Sequence, residues 1–73
     1  MTYQEKTANE LSHSSISFET IEELIKKIEE IKNSNIKKVS LRKTDIKDKS
    51  WGVIRNILLD SFAYTDMEIV IYV

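Results

Sequence analysis

The most constraining feature of this chain is a short alternation of polar and apolar side chains near its middle. Val39 and Leu41 are apolar, whereas the positions around them are polar: Lys38, Ser40 and Arg42. Such a pattern predicts a β-strand with one buried face and one polar face. A strand covered by helices on both faces would be apolar throughout. We therefore expect any helices to pack on one face of the sheet only.

Two amphipathic helices are predicted on either side of this strand. The first should run from about Ile21 to Asn33, with Thr20 as its N-cap. The second should be capped by Asp48 or Ser50 and run to about Ala63. Apolar residues at helical spacing predict their buried faces: Ile21, Leu24, Ile25, Ile28 and Ile31 in the first, and Trp51, Ile54, Ile57, Leu58 and Phe62 in the second.

Two further strands complete a βαβαβ order, at Ser15–Phe18 and at Met67–Val73. Helical crossovers between parallel strands are right-handed in nearly all proteins. Two such crossovers on one face move the chain in the same direction, so the expected strand order is 1-2-3. The predicted fold is a two-layer α/β domain with a three-stranded parallel sheet and two helices on one face. Its expected core comprises Ile28, Val39, Leu41, Ile57, Leu58, Ile69 and Ile71.

The 73 residues leave room for one domain. We expect residues 1–14 to be a flexible tail or an extra edge strand, and residues 15–73 to be a single small α/β domain. The chain has no Cys, which fits a reducing compartment, and we expect it to be cytoplasmic. It has no apolar run of about 20 residues, so no membrane partner is expected.

A catalytic, cofactor or metal site is not expected from these residues. His13 is the one histidine and lies in the predicted tail, and the chain has no Gly-rich phosphate loop. Asp45 and Asp48 do not match the spacing of a Ca²⁺ loop. We therefore interpret the chain as non-enzymatic, with no cofactor.

The one-sided packing directs attention to the polar sheet face and to the third strand. That strand would be an open edge, unless the N-terminal tail around Tyr3 pairs with it and covers it. The expected partner-binding residues on that face are Lys38, Ser40, Arg42, Val70 and Tyr72. Strand addition at the edge by a protein partner, or by a second copy in a homodimer, would satisfy its backbone groups. The predicted function is that of a small regulator or inhibitor acting by protein binding.

Nucleic-acid binding is the alternative interpretation, because charge is distributed unevenly. The net charge of -1 combines acidic ends with a basic middle, residues 32–55. A basic belt would consist of Lys37, Lys38, Arg42, Lys43, Lys47, Lys49 and Arg55, with Tyr72 for base stacking. The acidic ends and the lack of a recognition motif weigh against it.

The stretch from Ile16 to Val73 resembles the core of the STAS domain, the fold of anti-sigma-factor antagonists. The similarity lies in residues 22–28, 39–41, 46–54 and 68–71. Members of that family carry an Asp-Ser-Ser-Gly turn before the second helix, where a phosphorylated Ser controls binding of a partner kinase. Only Asp48 and Ser50 correspond here. The resemblance implies phosphorylation at Ser50.

A second resemblance is to one leucine-rich repeat. It extends over Ile36, Val39, Leu41, Thr44, Ile46, Trp51, Ile54, Leu58 and Ile69. Such repeats bury a core only when about three are stacked. The resemblance therefore implies a similar arrangement of strand and helix within one unit.

Overall fold

A computed structural model of the chain describes residues 1–46 and 50–73. The described part contains three strands and two α-helices, with a short 3₁₀ turn at Lys43–Asp45. In chain order the elements are β1 (Thr2–Lys6), α1 (Ile21–Lys32), β2 (Lys38–Arg42), α2 (Trp51–Ser61) and β3 (Glu68–Tyr72).

The three strands form one parallel sheet in the order β1-β3-β2. The expected order 1-2-3 is therefore wrong, and so is the expectation that the third strand is an edge, since β3 lies in the centre. The first strand is Thr2–Lys6 rather than Ser15–Phe18, which forms no strand. Ile16 is buried and Phe18 packs against the core, so the alternation there reflects the burial of side chains without a strand ladder.

The path between β1 and α1 explains the strand order. Val39 and Leu41 are buried beneath the helices, so Ser40 projects from the opposite face of the sheet. Its hydroxyl donates a hydrogen bond to the His13 carbonyl at 2.9 Å. The segment between β1 and α1 thus lies over the face opposite the helices before it reaches α1.

The failed expectation assumed that both connections stay on the helix-covered face. When one connection crosses the opposite face, the right-handed rule requires the two connections to move in opposite directions along the sheet. The second connection then returns β3 to the position between β1 and β2.

One hydrophobic core joins both helices to one sheet face. It contains Leu24 and Ile28 from α1, Ile54 and Leu58 from α2, and the strand residues Val39, Leu41, Ile69 and Ile71, together with Ile16, Phe62 and Met67. Ile57, expected in the core, is half-buried and packs against it. Thr20 caps α1 as predicted, because its hydroxyl accepts a hydrogen bond from the Glu23 N–H at 3.2 Å.

We call the side of the sheet opposite the helices the polar face. Alternation places on it Thr2, Gln4, Lys6, Lys38, Ser40, Arg42, Glu68, Val70 and Tyr72. Helices packed on one side of the sheet were expected to leave this face uncovered, but Val70 at its centre has no exposed surface. The Ser40 side chain, which is bonded to the His13 carbonyl, is the cross-strand neighbour of Val70 on this face.

Candidate functional site: the two edges of the sheet

The backbone groups of β1 divide into those that face β3 and those that face outward. The Thr2 N–H donates to the Met67 carbonyl, and the Lys6 carbonyl accepts from the Val73 N–H, both at 2.9 Å. Alternate residues of a strand in a parallel pair point their backbone groups in opposite directions. Thr2, Gln4 and Lys6 therefore bond to β3, while the N–H and C=O groups of Tyr3 and Glu5 point away from the sheet.

The backbone groups of β2 also alternate between those that face β3 and those that face outward. The Glu68 N–H donates to the Lys37 carbonyl at 2.9 Å, so Lys38, Ser40 and Arg42 direct their backbone groups away from β3. The outward N–H and C=O groups of these three residues can be paired only by atoms from outside the sheet.

Two consecutive serines provide hydrogen bonds along β2. The Ser40 N–H donates to Ser15 Oγ at 2.8 Å, and the Arg42 N–H donates to Ser14 Oγ at 2.8 Å. The Ser15 N–H donates to the Ser40 carbonyl, also at 2.8 Å. We call this side, with Ser14 and Ser15 bound along Ser40 and Arg42, the sealed edge. A partner strand would have to displace the serines to pair there.

The outer side of β1 has no equivalent cover. Within residues 1–46 and 50–73, no hydrogen bond reaches the outward N–H or C=O groups of Tyr3 and Glu5. We call this side the open edge. An exposed row of unpaired backbone groups is a template for another strand. Glu5 and Lys6 are both exposed on this strand, and their charges restrict which strands can pair with it.

Tyr3 is held in place beside the open edge. Its hydroxyl donates to Glu5 Oε1 at 2.9 Å, and Arg55 Cζ of α2 lies 5.8 Å from the ring centroid. Partial burial, and then the hydrogen bond and charge of Glu5, raise the pKa of Tyr3 above its ordinary value, with a smaller opposing effect from Arg55. The side chains next to the outward backbone groups are therefore ordered by their neighbours.

The five residues predicted to bind a partner differ in accessibility. Lys38 is exposed, Ser40, Arg42 and Tyr72 are half-buried, and Val70 is fully buried. The Ser40 hydroxyl is already used by His13. Arg42 Nε is buried and has no hydrogen-bond partner within the described residues. Residues at the centre of the polar face are thus too buried to contact a partner, and the accessible side chains lie at its margins.

One row of the polar face brings an aromatic ring between two cations. Tyr72 of β3 is the cross-strand neighbour of Lys6 in β1 and of Arg42 in β2. We call these three residues the cationic row. The sequence predicts Tyr72 beside Arg42 but does not assign Lys6 to this row, because it predicts residues 1–14 only as a flexible tail or an extra edge strand, without a register.

The residues of the predicted basic belt lie in separate places and contact different neighbours. Lys37 pairs with exposed Asp66 at 3.1 Å, Lys43 Nζ lies 5.7 Å from the Trp51 ring, and Arg55 lies over Tyr3. Lys38 and Arg42 belong to the polar face. Lys47 and Lys49 lie outside the described residues. The described cations therefore do not form one continuous basic patch.

The position implied by the STAS resemblance lies at the start of α2. Ser50 is half-buried and is the N-cap residue, although its side chain makes no capping hydrogen bond to the helix. Asp48, the other candidate cap, lies outside the described residues.

The described residues contain no group of three or more side chains suited to hold a metal ion. No helix in the part of the chain that the structure describes is long and apolar enough to cross a membrane. Comparisons with protein-family models, curated proteins and solved structures find no match to this chain.

Proposed function

We propose that this chain is a non-enzymatic protein-interaction module, a small regulator or inhibitor that binds an extended protein segment along its open edge. The proposal rests on one observation, which is that the two edges differ in the hydrogen bonding of their outward backbone groups. Ser14 and Ser15 bond to the outward N–H and C=O groups of Ser40 and to the outward N–H of Arg42, whereas the outward groups of Tyr3 and Glu5 have no partner within the described residues.

Strand addition would supply both affinity and selectivity at this edge. Each backbone hydrogen bond would contribute a net ~0.5–1.5 kcal/mol. Selectivity would come from the side chains that alternate along β1. Tyr3, with Arg55 over its ring, would contact the segment on the helix side, and Gln4 and Lys6 would contact it on the polar face.

The margins of the polar face extend the proposed surface. Lys38 and the accessible parts of Arg42 and Tyr72 would contact the rest of a partner that binds at β1. Ser40 and Val70 would contribute indirectly, by holding the segment around His13 against the sheet.

Affinity capture from a lysate of the native host, followed by mass spectrometry, tests the proposal with a pair of variants. Glu5→Pro removes the outward N–H, and Glu5→Ala removes the carboxylate but keeps that N–H. We expect the captured partner to be lost with Glu5→Pro and retained, at somewhat lower yield, with Glu5→Ala. Purified partner and wild type should then bind directly, with affinity little changed by moderate salt.

Tyr64→Ser provides the matched control, because Tyr64 is fully exposed on the turn after α2 and lies outside both sheet edges. Capture that survives Glu5→Pro but disappears with Tyr64→Ser would assign binding to the surface around that turn and contradict the proposal. Urea unfolding of each variant establishes that a loss of capture is not a loss of fold.

The cationic row favours a second candidate function, binding of single-stranded nucleic acid. A base could stack on Tyr72 while Lys6 and Arg42 contact phosphates. Titration of a fluorescent oligonucleotide at two salt concentrations tests this candidate, since phosphate contacts make affinity fall steeply with salt. Tyr72→Ala should weaken such binding, and a lack of binding at low salt would exclude it.

A further inference from the structure

We infer that the open edge binds a second copy of this chain, through antiparallel pairing of β1 with β1 centred on Gln4. The inference rests on the proposed function, because it names the occupant of the same edge. It follows from the direction of the backbone groups and from the order of charges along β1.

The outward residues restrict the symmetric registers. Backbone groups of Tyr3 and Glu5 point outward, so an antiparallel pair must match outward residues with outward residues. A two-fold axis can then pass through Tyr3, Gln4 or Glu5. An axis at Glu5 would place two carboxylates directly opposite each other, which is unfavourable. An axis at Tyr3 would leave Lys6 beyond the paired region.

An axis at Gln4 pairs every residue of β1 without opposing like charges. Tyr3 then lies opposite Glu5 of the second copy, and Thr2 lies opposite Lys6 of the second copy. Each Tyr3–Glu5 pair exchanges two backbone hydrogen bonds, because these are the outward residues. Of the three registers, only this one pairs all five residues of β1 and places no like charges opposite each other.

Side chains on the helix side support the same register. In one copy Tyr3 donates to its own Glu5 at 2.9 Å and lies beneath Arg55. Pairing would bring Glu5 of the second copy beside Tyr3 and therefore towards Arg55. Each edge would supply a carboxylate to the other copy's guanidinium, which is favourable charge complementarity across the axis.

The dimer would contain a continuous six-stranded sheet. Because the two-fold axis is perpendicular to the sheet, the helices of both copies would lie on the same side. The edge is only five residues long, so the interface would be small and the dimer reversible. A chain of this size without disulfides gains support from such an association.

Single cysteine variants test the register, because the chain contains no Cys of its own. The two Gln4 residues would form a non-hydrogen-bonded pair with Cα atoms about 4.5 Å apart, which is within disulfide range. In Thr2→Cys or Lys6→Cys the like residues would be offset by four residues, about 14 Å at ~3.4 Å per residue, and could not be bridged. These two variants are the matched controls.

We expect Gln4→Cys to form disulfide-linked dimer at least tenfold faster than either control under mild oxidation. A mixture of Thr2→Cys and Lys6→Cys should cross-link between the two variants, because those positions lie opposite each other. Sedimentation equilibrium should show wild-type dimer that increases with concentration, and Glu5→Pro should remain monomeric.

Equal cross-linking of Gln4→Cys and both controls would overturn the register. A wild type that sediments as a monomer at all concentrations would overturn the homodimer. If capture of a different protein were still lost with Glu5→Pro, the open edge would remain the binding site and only the identity of its occupant would be wrong. Capture insensitive to Glu5→Pro would remove the proposed function as well.

Discussion

The two edges of this sheet have equal length but different surroundings. Strands β1 and β2 each contain five residues and each pair in parallel with β3. Along β2, Ser14 and Ser15 bond to outward backbone groups; along β1, none of the described residues does so. Proteins generally protect their edge strands from pairing with other chains. The difference therefore indicates which edge is available for binding.

The largest predicted difference between the edges concerns proline. Ser40→Pro would remove an N–H that is bonded to Ser15 and bring the proline ring against that serine, at an expected cost of ~3 kcal/mol or more. Glu5→Pro removes an outward N–H without a partner in the described chain and should cost clearly less. Urea unfolding of both variants measures these costs at low protein concentration.

Ser40→Ala is the control for the lost hydroxyl, which donates to His13. Ser40→Ala should lower the free energy of unfolding by less than Ser40→Pro does. Equal destabilisation by proline at positions 5 and 40 would show that the edges do not differ in hydrogen bonding.

Removal of the two serine hydroxyls from the sealed edge should have an effect of intermediate size on stability. Replacing Ser14 and Ser15 together with Ala removes the acceptors for two backbone N–H groups, at a cost of ~1–3 kcal/mol in total. The variant should also associate beyond a dimer, because the outward N–H groups of Ser40 and Arg42 would then lack their acceptors. Thermal unfolding and light scattering measure the two effects, and an unchanged mass distribution would contradict the sealing role of the serines.

The smallest predicted effect is a dependence of stability on alkaline pH at the open edge. The pKa of Tyr3 is raised in the folded chain, so folding favours the protonated phenol. This contribution is fully present below pH about 10, the pKa in the unfolded chain, and is lost as pH rises through the folded-state pKa. As pH rises above about 10, stability of the wild type should fall more than that of Tyr3→Phe; parallel curves would contradict this account.

Local patterns predicted the elements whose side chains face the core. The helical spacing of Leu24 and Ile28 and the alternation of Val39 and Leu41 arise from burial on one side, and the structure confirms α1 and β2 close to their predicted positions. Ile69 and Ile71 likewise lie in β3 and in the core. These patterns depend on neighbours within a few residues, which is why sequence alone reveals them.

The strand that forms the candidate site was expected only as one alternative for residues 1–14, an extra edge strand, without bounds or a register. Tyr3 is the only apolar residue of β1, and its partner Ile69 lies at the other end of the chain. The pairing therefore has no local signature beyond the β propensity of Thr2 and Tyr3. Which strand is an edge depends on strand order, and strand order here depends on a segment that crosses the polar face.

Native-state hydrogen exchange of four amides tests the central claim most directly. The amides of Ser40 and Arg42 are bonded along the sealed edge, whereas those of Tyr3 and Glu5 point outward without a partner in the described chain. In dilute solution Tyr3 and Glu5 should exchange at least about tenfold faster, the factor for ~1.4 kcal/mol. At high protein concentration their exchange should slow while that of Ser40 stays constant. Similar exchange at all four amides in dilute solution would contradict the account.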